Sequence, residues 1–185
     1  MLGLGPGKRK YLDTERFQRE ARSDALAIRL DELPEKTILD VGTGPGHFPI
    51  VCREMGHTCF CMDKEGKFFE GLRKQNGMEM LGEHYIEPMV PFPKLRMDFD
   101  IVTLFRVPFN LVLSEQRLFS IPEWEFFLDD VRDNLLKPRG RLVLKLQKHF
   151  NVAGLTAKSP ELIDLFMSRG AIELRECVFD FDPLL

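Results

Sequence analysis

The sequence predicts an α/β fold, a doubly wound, mostly parallel sheet with helices on both faces. Three observations predict it. Short apolar runs alternate with amphipathic helical patterns along the chain. A glycine-rich turn, Gly42-Thr43-Gly44-Pro45-Gly46, joins one such run to a helical pattern. No internal repeat and no polar linker divides the 185 residues. They read as a single domain, with an N-terminal tail and helix over 1–35 and a sheet core over 36–185.

The elements follow in order. Residues 1–10 form a Gly-rich, basic tail. Asp13 to Leu33 predicts a helix capped by Asp13 or Thr14, with Phe17, Ala21, Leu26 and Ile28 on its apolar side, and Pro34 breaks it. Lys36 to Val41 is the first strand, and His47 to Met55 is a short helix closed by Gly56. His57 to Met62 is the second strand, ending at Asp63. Lys64 to Gln75 predicts a helix with Phe68, Phe69 and Leu72 inward, weakened by Gly66 and Gly71. His84 to Met89 is the third strand and Phe99 to Phe105 the fourth. Glu123 to Leu136 is a helix whose Trp124, Phe127, Leu128, Val131 and Leu135 recur at helical spacing, a core-facing stripe. Pro138-Arg139-Gly140 is a turn into a fifth strand, Arg141 to Leu146. Ser159-Pro160-Glu161 opens a last helix through Met167, closed by Gly170, and Ala171 to Phe181 is a sixth strand.

Composition narrows the function. The formal net charge of −3 offers no electrostatic case for nucleic acid, which is bound largely through Lys and Arg on phosphates. Lys8, Arg9 and Lys10 read as a solvated tail. No apolar run approaches the ~18 residues of a membrane span, and the N-terminus lacks the apolar stretch of a secretory signal. The four cysteines (Cys52, Cys59, Cys61, Cys177) form no C-x-x-C pair and no zinc pattern with histidine. They read as buried reduced thiols in a cytoplasmic protein that needs no metal.

The chemistry concentrates at Asp40-Val41-Gly42-Thr43-Gly44-Pro45-Gly46. A strand ends, the backbone turns sharply and a helix begins, at the edge where doubly wound sheets bind ligands. Glycine lets a ligand approach the main chain. The acid at the end of the next strand, Asp63, is placed to accept both hydroxyls of a ribose.

These residues resemble motif I and the strand-2 acid of the class I, Rossmann-like methyltransferases that use S-adenosylmethionine (AdoMet). Phe99-Asp100-Ile101-Val102-Thr103 and the run from Leu135 through Pro138-Arg139-Gly140 to Leu144 are similar to that family's strand 4 and its turn into strand 5. The similarity covers roughly residues 36–147 and the helix beyond. It implies AdoMet as cofactor, S-adenosylhomocysteine as product and a small-molecule acceptor. It implies that Asp40 positions the amino-acid end, that Gly42, Thr43, Gly44 and Gly46 form the floor, and that Asp63, with Lys64 beside it, holds the ribose. Glu87 and Met89 would lie by the adenine, and Phe105 would face the donor. Arg106 just beyond strand 4, His47 after the glycine turn and His149 after strand 5 are the candidates for work on the acceptor. Tyr11 and Phe17 are candidates to close over the cofactor.

Two rival readings come from the same residues. A dinucleotide fingerprint, G-x-G-x-x-G, needs a third glycine where this chain has His47 or Pro49, which disfavours NAD. Arg106-Val107-Pro108-Phe109-Asn110 lacks the polar first residue and second proline of the motif that methylates amino groups of bases. The family's final antiparallel strand 7 is expected to be missing, because the chain stops soon after strand 6. An open edge would then invite a homodimer or another partner. That gap also motivates a non-catalytic AdoMet-binding subunit as an alternative, beside a protein or RNA methyltransferase.

Overall fold

The computed structural model describes residues 13–64, 67–105, 108–147 and 158–185. In chain order, α1 (Thr14–Ala27) leads through a 3₁₀ turn at Leu30–Glu32 to β1 (Thr37–Val41) and α2 (His47–Glu54). Then come β2 (Thr58–Asp63), α3 (Lys67–Gln75), β3 (Met80–Glu83) and β4 (Phe99–Phe105). A small hairpin of β5 (Leu111–Val112) and β6 (Arg117–Leu118) precedes α4 (Ile121–Asn134) and β7 (Leu136–Lys145). The described chain ends with α5 (Pro160–Ser168), β8 (Ala171–Arg175) and β9 (Val178–Phe181).

Seven strands form the main sheet in the order β3-β2-β1-β4-β7-β9-β8. β1 pairs in parallel with β2 on one side and β4 on the other. The winding direction therefore reverses at β1, and a crevice opens beyond its carboxyl end. β9 runs antiparallel to both β7 and β8.

Alternation along each strand builds two cores. Ile38, Ile101 and Val143 turn to one face, where they meet Ala21 and Ala25 of α1, Ile28 just after it, and Phe48, Val51 and Cys52 of α2. Leu39, Val102, Leu104, Leu142 and Leu144 turn to the other, against Trp124, Phe127, Leu128 and Val131 of α4 and Phe166 of α5. Strands buried on both faces read as continuous apolar runs, which is why β1, β4 and β7 were legible. The Trp124 stripe is core: its ring packs edge-on against Phe109, Phe127 and Phe166 at 5.1–5.6 Å.

Caps set the helix starts. Asp13 Oδ1 accepts from the Arg16 N–H at 3.1 Å and opens α1. Ser120 and Glu123 form a capping box at α4, which starts the helix at Ile121, three residues before the apolar stripe begins at Trp124.

Three expectations are corrected. The third strand is Met80–Glu83 rather than 84–89. Its Met-Leu-Gly-Glu carries no β-branched residue, so nothing local marks it; parallel pairing with β2 forms it. The turn at 138–140 lies inside β7, where Arg139 adopts φ 62° and the register against β4 shifts. The final antiparallel strand is present. The run Ala171–Phe181 is a hairpin, β8 and β9, reversing at Glu176-Cys177 with Cys177 at φ 63°. No glycine or proline marks that turn, so the run read as one strand.

Candidate active site

β1 ends in the glycine turn, whose Gly42, Gly44 and Gly46 have φ of 74°, 55° and 89°. These are left-handed values that side chains adopt only at a cost. The two later glycines serve different ends. A Cβ on Gly46 would lie 2.8 Å from Met78 Cγ, so its small size lets α2 begin against the segment after α3. A Cβ on Gly44 would meet nothing within 4 Å. At Gly44 the main chain faces open space, as a surface for a ligand requires.

Asp63, at the carboxyl end of β2, reaches back to this turn. The Gly44 N–H donates to Asp63 Oδ2 at 2.8 Å, and the Lys64 N–H donates to Oδ1 at 2.8 Å. Arg73 of α3 adds a third donor to Oδ2 at 3.2 Å and also donates to the Gly44 carbonyl at 3.1 Å. The Arg73 and Asp63 side chains are 5% and 13% exposed, so the pair is sheltered from water. Just past α3, Asn76 Nδ2 donates to the Pro45 carbonyl at 3.2 Å. The end of α3 therefore grips the glycine turn from outside.

A carboxylate has about four acceptor positions. Three of Asp63's are taken by these donors, which leaves room for about one bond to a ribose hydroxyl rather than two. Sequence reading missed Arg73, since nothing in a helical run marks which cation turns inward. It also missed Glu83, the register partner of Asp63 on β3. With β3 at its true position, Glu83 is the acid at that strand's end.

Asp40 is buried on the α1–α2 face of β1, opposite Thr103 of β4, its register partner. Thr103 Oγ1 donates to Asp40 Oδ1 at 2.8 Å. Burial pushes the Asp40 carboxyl up to about 7, against the hydrogen bonds from Thr103 and Thr43, while the charges of Asp63 and Asp24 raise it further. Thr43 is also buried, with its hydroxyl 3.6 Å from Cys61 Sγ.

The remaining predicted residues fall in several places. His47 opens α2, buried beneath α1, where the Phe17 ring stacks on it at 5.5 Å. Phe105 ends β4 edge-on to Phe48 at 4.7 Å. Lys64 is exposed, its Nζ 5.9 Å from the Tyr85 ring. Glu87 and Met89 lie beyond the end of β3 and line a cavity of about 590 Å³ with Phe109, Leu113 and Arg117, a cavity the glycine turn does not line. Tyr11, Arg106 and His149 lie outside the described residues.

No protein-family profile matches this chain, and no curated protein sequence does. Solved structures do. AdoMet-bound CalS10, an amino pentose methyltransferase from Micromonospora echinaspora, superposes with a TM-score of 0.54 at 19% identity, over 80% of this chain and 58% of that one. Human N-acetylserotonin methyltransferase in complex with AdoMet gives 0.56 at 14% identity, over 89% and 52%. An O-methyltransferase family 2 protein from Planctomyces limnophilus, complexed with apigenin, gives 0.53 at 15%, over 93% and 62%.

The chain has the class I methyltransferase fold. It spans about half to three fifths of the length of these methyltransferases, 52–62%. The sheet order and the reversed β9 complete the methyltransferase fold, and the glycine turn and Asp63 stand at its switch point. Among the described residues no helix is long and apolar enough to cross a membrane.

Proposed function

We propose that this chain binds AdoMet and transfers its methyl group to a small-molecule acceptor. The observation that carries the reading is the open main chain at Gly44 beside the Asp63 carboxylate, at the switch point of a methyltransferase fold. The residues fit such a group: a floor without side chains, an acid toward the ribose and a buried acid toward the amino-acid end.

AdoMet supplies a methyl group already activated on a sulfonium. The protein's work is then to hold acceptor and donor in line and to exclude water. In this reading Gly42 and Gly44 let the ligand lie against the backbone, and Asp63 accepts one ribose hydroxyl. Burial holds the Asp40 carboxyl up to about 7, so a cationic amino group beside it would favour its ionised form. Phe105, packed edge-on against Phe48 at the end of β4, is the candidate to face the donor. Arg106, His149 and His47 are the candidates on the acceptor side. No general base is required unless the acceptor atom must lose a proton. Cys52, Cys59, Cys61 and Cys177 are buried thiols, which fits a reducing, cytoplasmic setting.

The non-catalytic reading keeps one specific support. Its first motive, a missing strand, is removed by β9, but Arg73 already occupies part of Asp63. Calorimetric titration with AdoMet, with S-adenosylhomocysteine and with NAD tests binding. Transfer of labelled methyl to metabolite, protein and RNA fractions tests the acceptor. Label in the small-molecule fraction is expected; label only in protein or RNA, or binding without transfer, would replace the reading.

A further inference from the structure

Three large apolar side chains stay open to water around one cavity. Tyr85, Met89 and Leu113 are 51%, 55% and 66% exposed, and all three line the space of about 590 Å³ between the segment after β3 and the β5–β6 hairpin. That volume falls within the range of small-molecule pockets, about 300–1,000 Å³. Behind them the wall is aromatic and buried: Phe109 and Phe119 also line the cavity and meet edge-on at 6.2 Å. Grouped apolar surface left open to water and rimmed by polar residues marks a binding site.

The charges of the lining are unequal. Glu87, Glu115 and Glu123 stand against a single cation, Arg117. Arg117 is spent on two of them: its Nε donates to Glu115 at 2.6 Å, and its Nη1 and Nη2 donate to Glu123 at 2.6 and 2.8 Å. Nη1 also donates to the Leu118 carbonyl at 3.1 Å. The pairs thus go to Glu115 and Glu123, while Glu87 is exposed and makes no ion pair among the described residues. The cavity begins beside the end of β2. The His84 N–H donates to the Asp63 carbonyl at 2.9 Å, and Tyr85, the next residue, is the first wall. Lys64, next to Asp63, reaches within 5.9 Å of the Tyr85 ring but does not line the cavity.

We propose that this cavity binds a small molecule with an ammonium group on an apolar or aromatic body, and that Glu87 is its counter-charge. The excess of carboxylate favours a cation and disfavours an anion. The rings and the Met89 thioether suit an apolar body, and a ring face also attracts a cation. β3 ends at Glu83, so Glu87 and Met89 serve this cavity rather than a strand end beside the adenine. A cavity next to Asp63 that neither Asp63 nor the glycine turn lines is placed for the acceptor. Held as a cation, the ammonium has no lone pair to methylate, so it anchors the acceptor. That assignment, acceptor, rests on the methyltransferase reading; the binding itself does not.

The probes are 2-phenylethylamine, 2-phenylethanol and phenylacetate, which keep one ring and are cationic, neutral and anionic at neutral pH. Binding is read by NMR from the backbone signals of residues 85–89 and 111–117. We expect the amine to shift them saturably, the alcohol to bind about fivefold more weakly and phenylacetate to bind weakest. Glu87→Gln, at an exposed position, should keep the melting temperature, weaken the amine about fivefold and leave the alcohol unchanged. Saturating S-adenosylhomocysteine should leave the amine bound. Equal binding of the three probes, a preference for phenylacetate, amine binding unchanged in Glu87→Gln, or no saturable shift in these segments would each overturn the site. Displacement of the amine by S-adenosylhomocysteine would also overturn it, since the cavity would then belong to the nucleoside. Amine binding by a chain that binds no AdoMet would keep the site and remove only its assignment to the acceptor.

Discussion

The Arg73 guanidinium donates both to Asp63 Oδ2 and to the Gly44 carbonyl, so one buried cation ties the acid at the end of β2 to the glycine turn. The same acid is the group expected to hold the ribose. Arg73 thus shapes the site in two ways. It fixes the turn that a ligand must lie on, and it takes up part of the acceptor capacity the ligand needs.

Breaking that pair should be costly, because it strands a sheltered charge. Arg73→Ala is expected to lose about 3 kcal/mol, which lowers the melting temperature by about 6–12 °C in a chain of this size. The double variant Arg73→Ala with Asp63→Asn should recover part of that loss, since neither charge is then left alone. A double-mutant cycle by thermal melting measures the coupling; additive losses would mean that the two residues do not act as a pair.

Asp63→Asn should weaken AdoMet binding about tenfold, the worth of roughly one charge-assisted hydrogen bond rather than two. Titration calorimetry on the folded variant reads this directly. A loss of a thousandfold would show that Arg73 releases the carboxylate on binding and that both ribose hydroxyls are held.

Gly44→Ala separates ligand from fold. The protein has open space for the new methyl group, so only the left-handed backbone is penalised, by about 1–2 kcal/mol. The variant should stay folded and lose AdoMet binding, because its methyl group projects into space the ligand needs. Gly46→Ala should instead disturb Met78 and cost stability. Thermal melting and titration of both variants give the comparison.

Asp40 predicts a pH dependence of known sign. Its carboxyl is held up to about 7 by burial, far above its range in an unfolded chain. The protonated folded form is favoured, so this contribution to stability is full below the ordinary aspartate range and is lost as pH rises through about 7. Asp40→Asn is neutral throughout. Its melting temperature should rise relative to wild type between about pH 5 and about pH 8. In wild type, AdoMet affinity should increase as pH passes through about 7, because the cation favours ionised Asp40.

What the sequence made legible follows the physics of each element. β1, β4 and the core of β7 are buried on both faces and showed as apolar runs. The α4 stripe showed as helical period, and the glycine turn showed because its backbone needs glycine. β3 did not show, since its pairing with β2 comes from tertiary context. The β8–β9 reversal was hidden because Glu176 and Cys177 carry no turn signature. At the site, Asp40, Gly44 and Asp63 were legible from spacing. Arg73 and Thr103 were not, because which polar residue of a strand or helix is buried depends on partners distant in sequence.

The most direct test of the central claim is calorimetric titration of the wild-type chain with AdoMet beside Gly44→Ala. The account predicts saturable, one-to-one binding of AdoMet and of S-adenosylhomocysteine to wild type, none of NAD, and no AdoMet binding to a folded Gly44→Ala. Wild type that binds neither sulfur nucleoside, or a Gly44→Ala variant that binds as tightly as wild type, would contradict it.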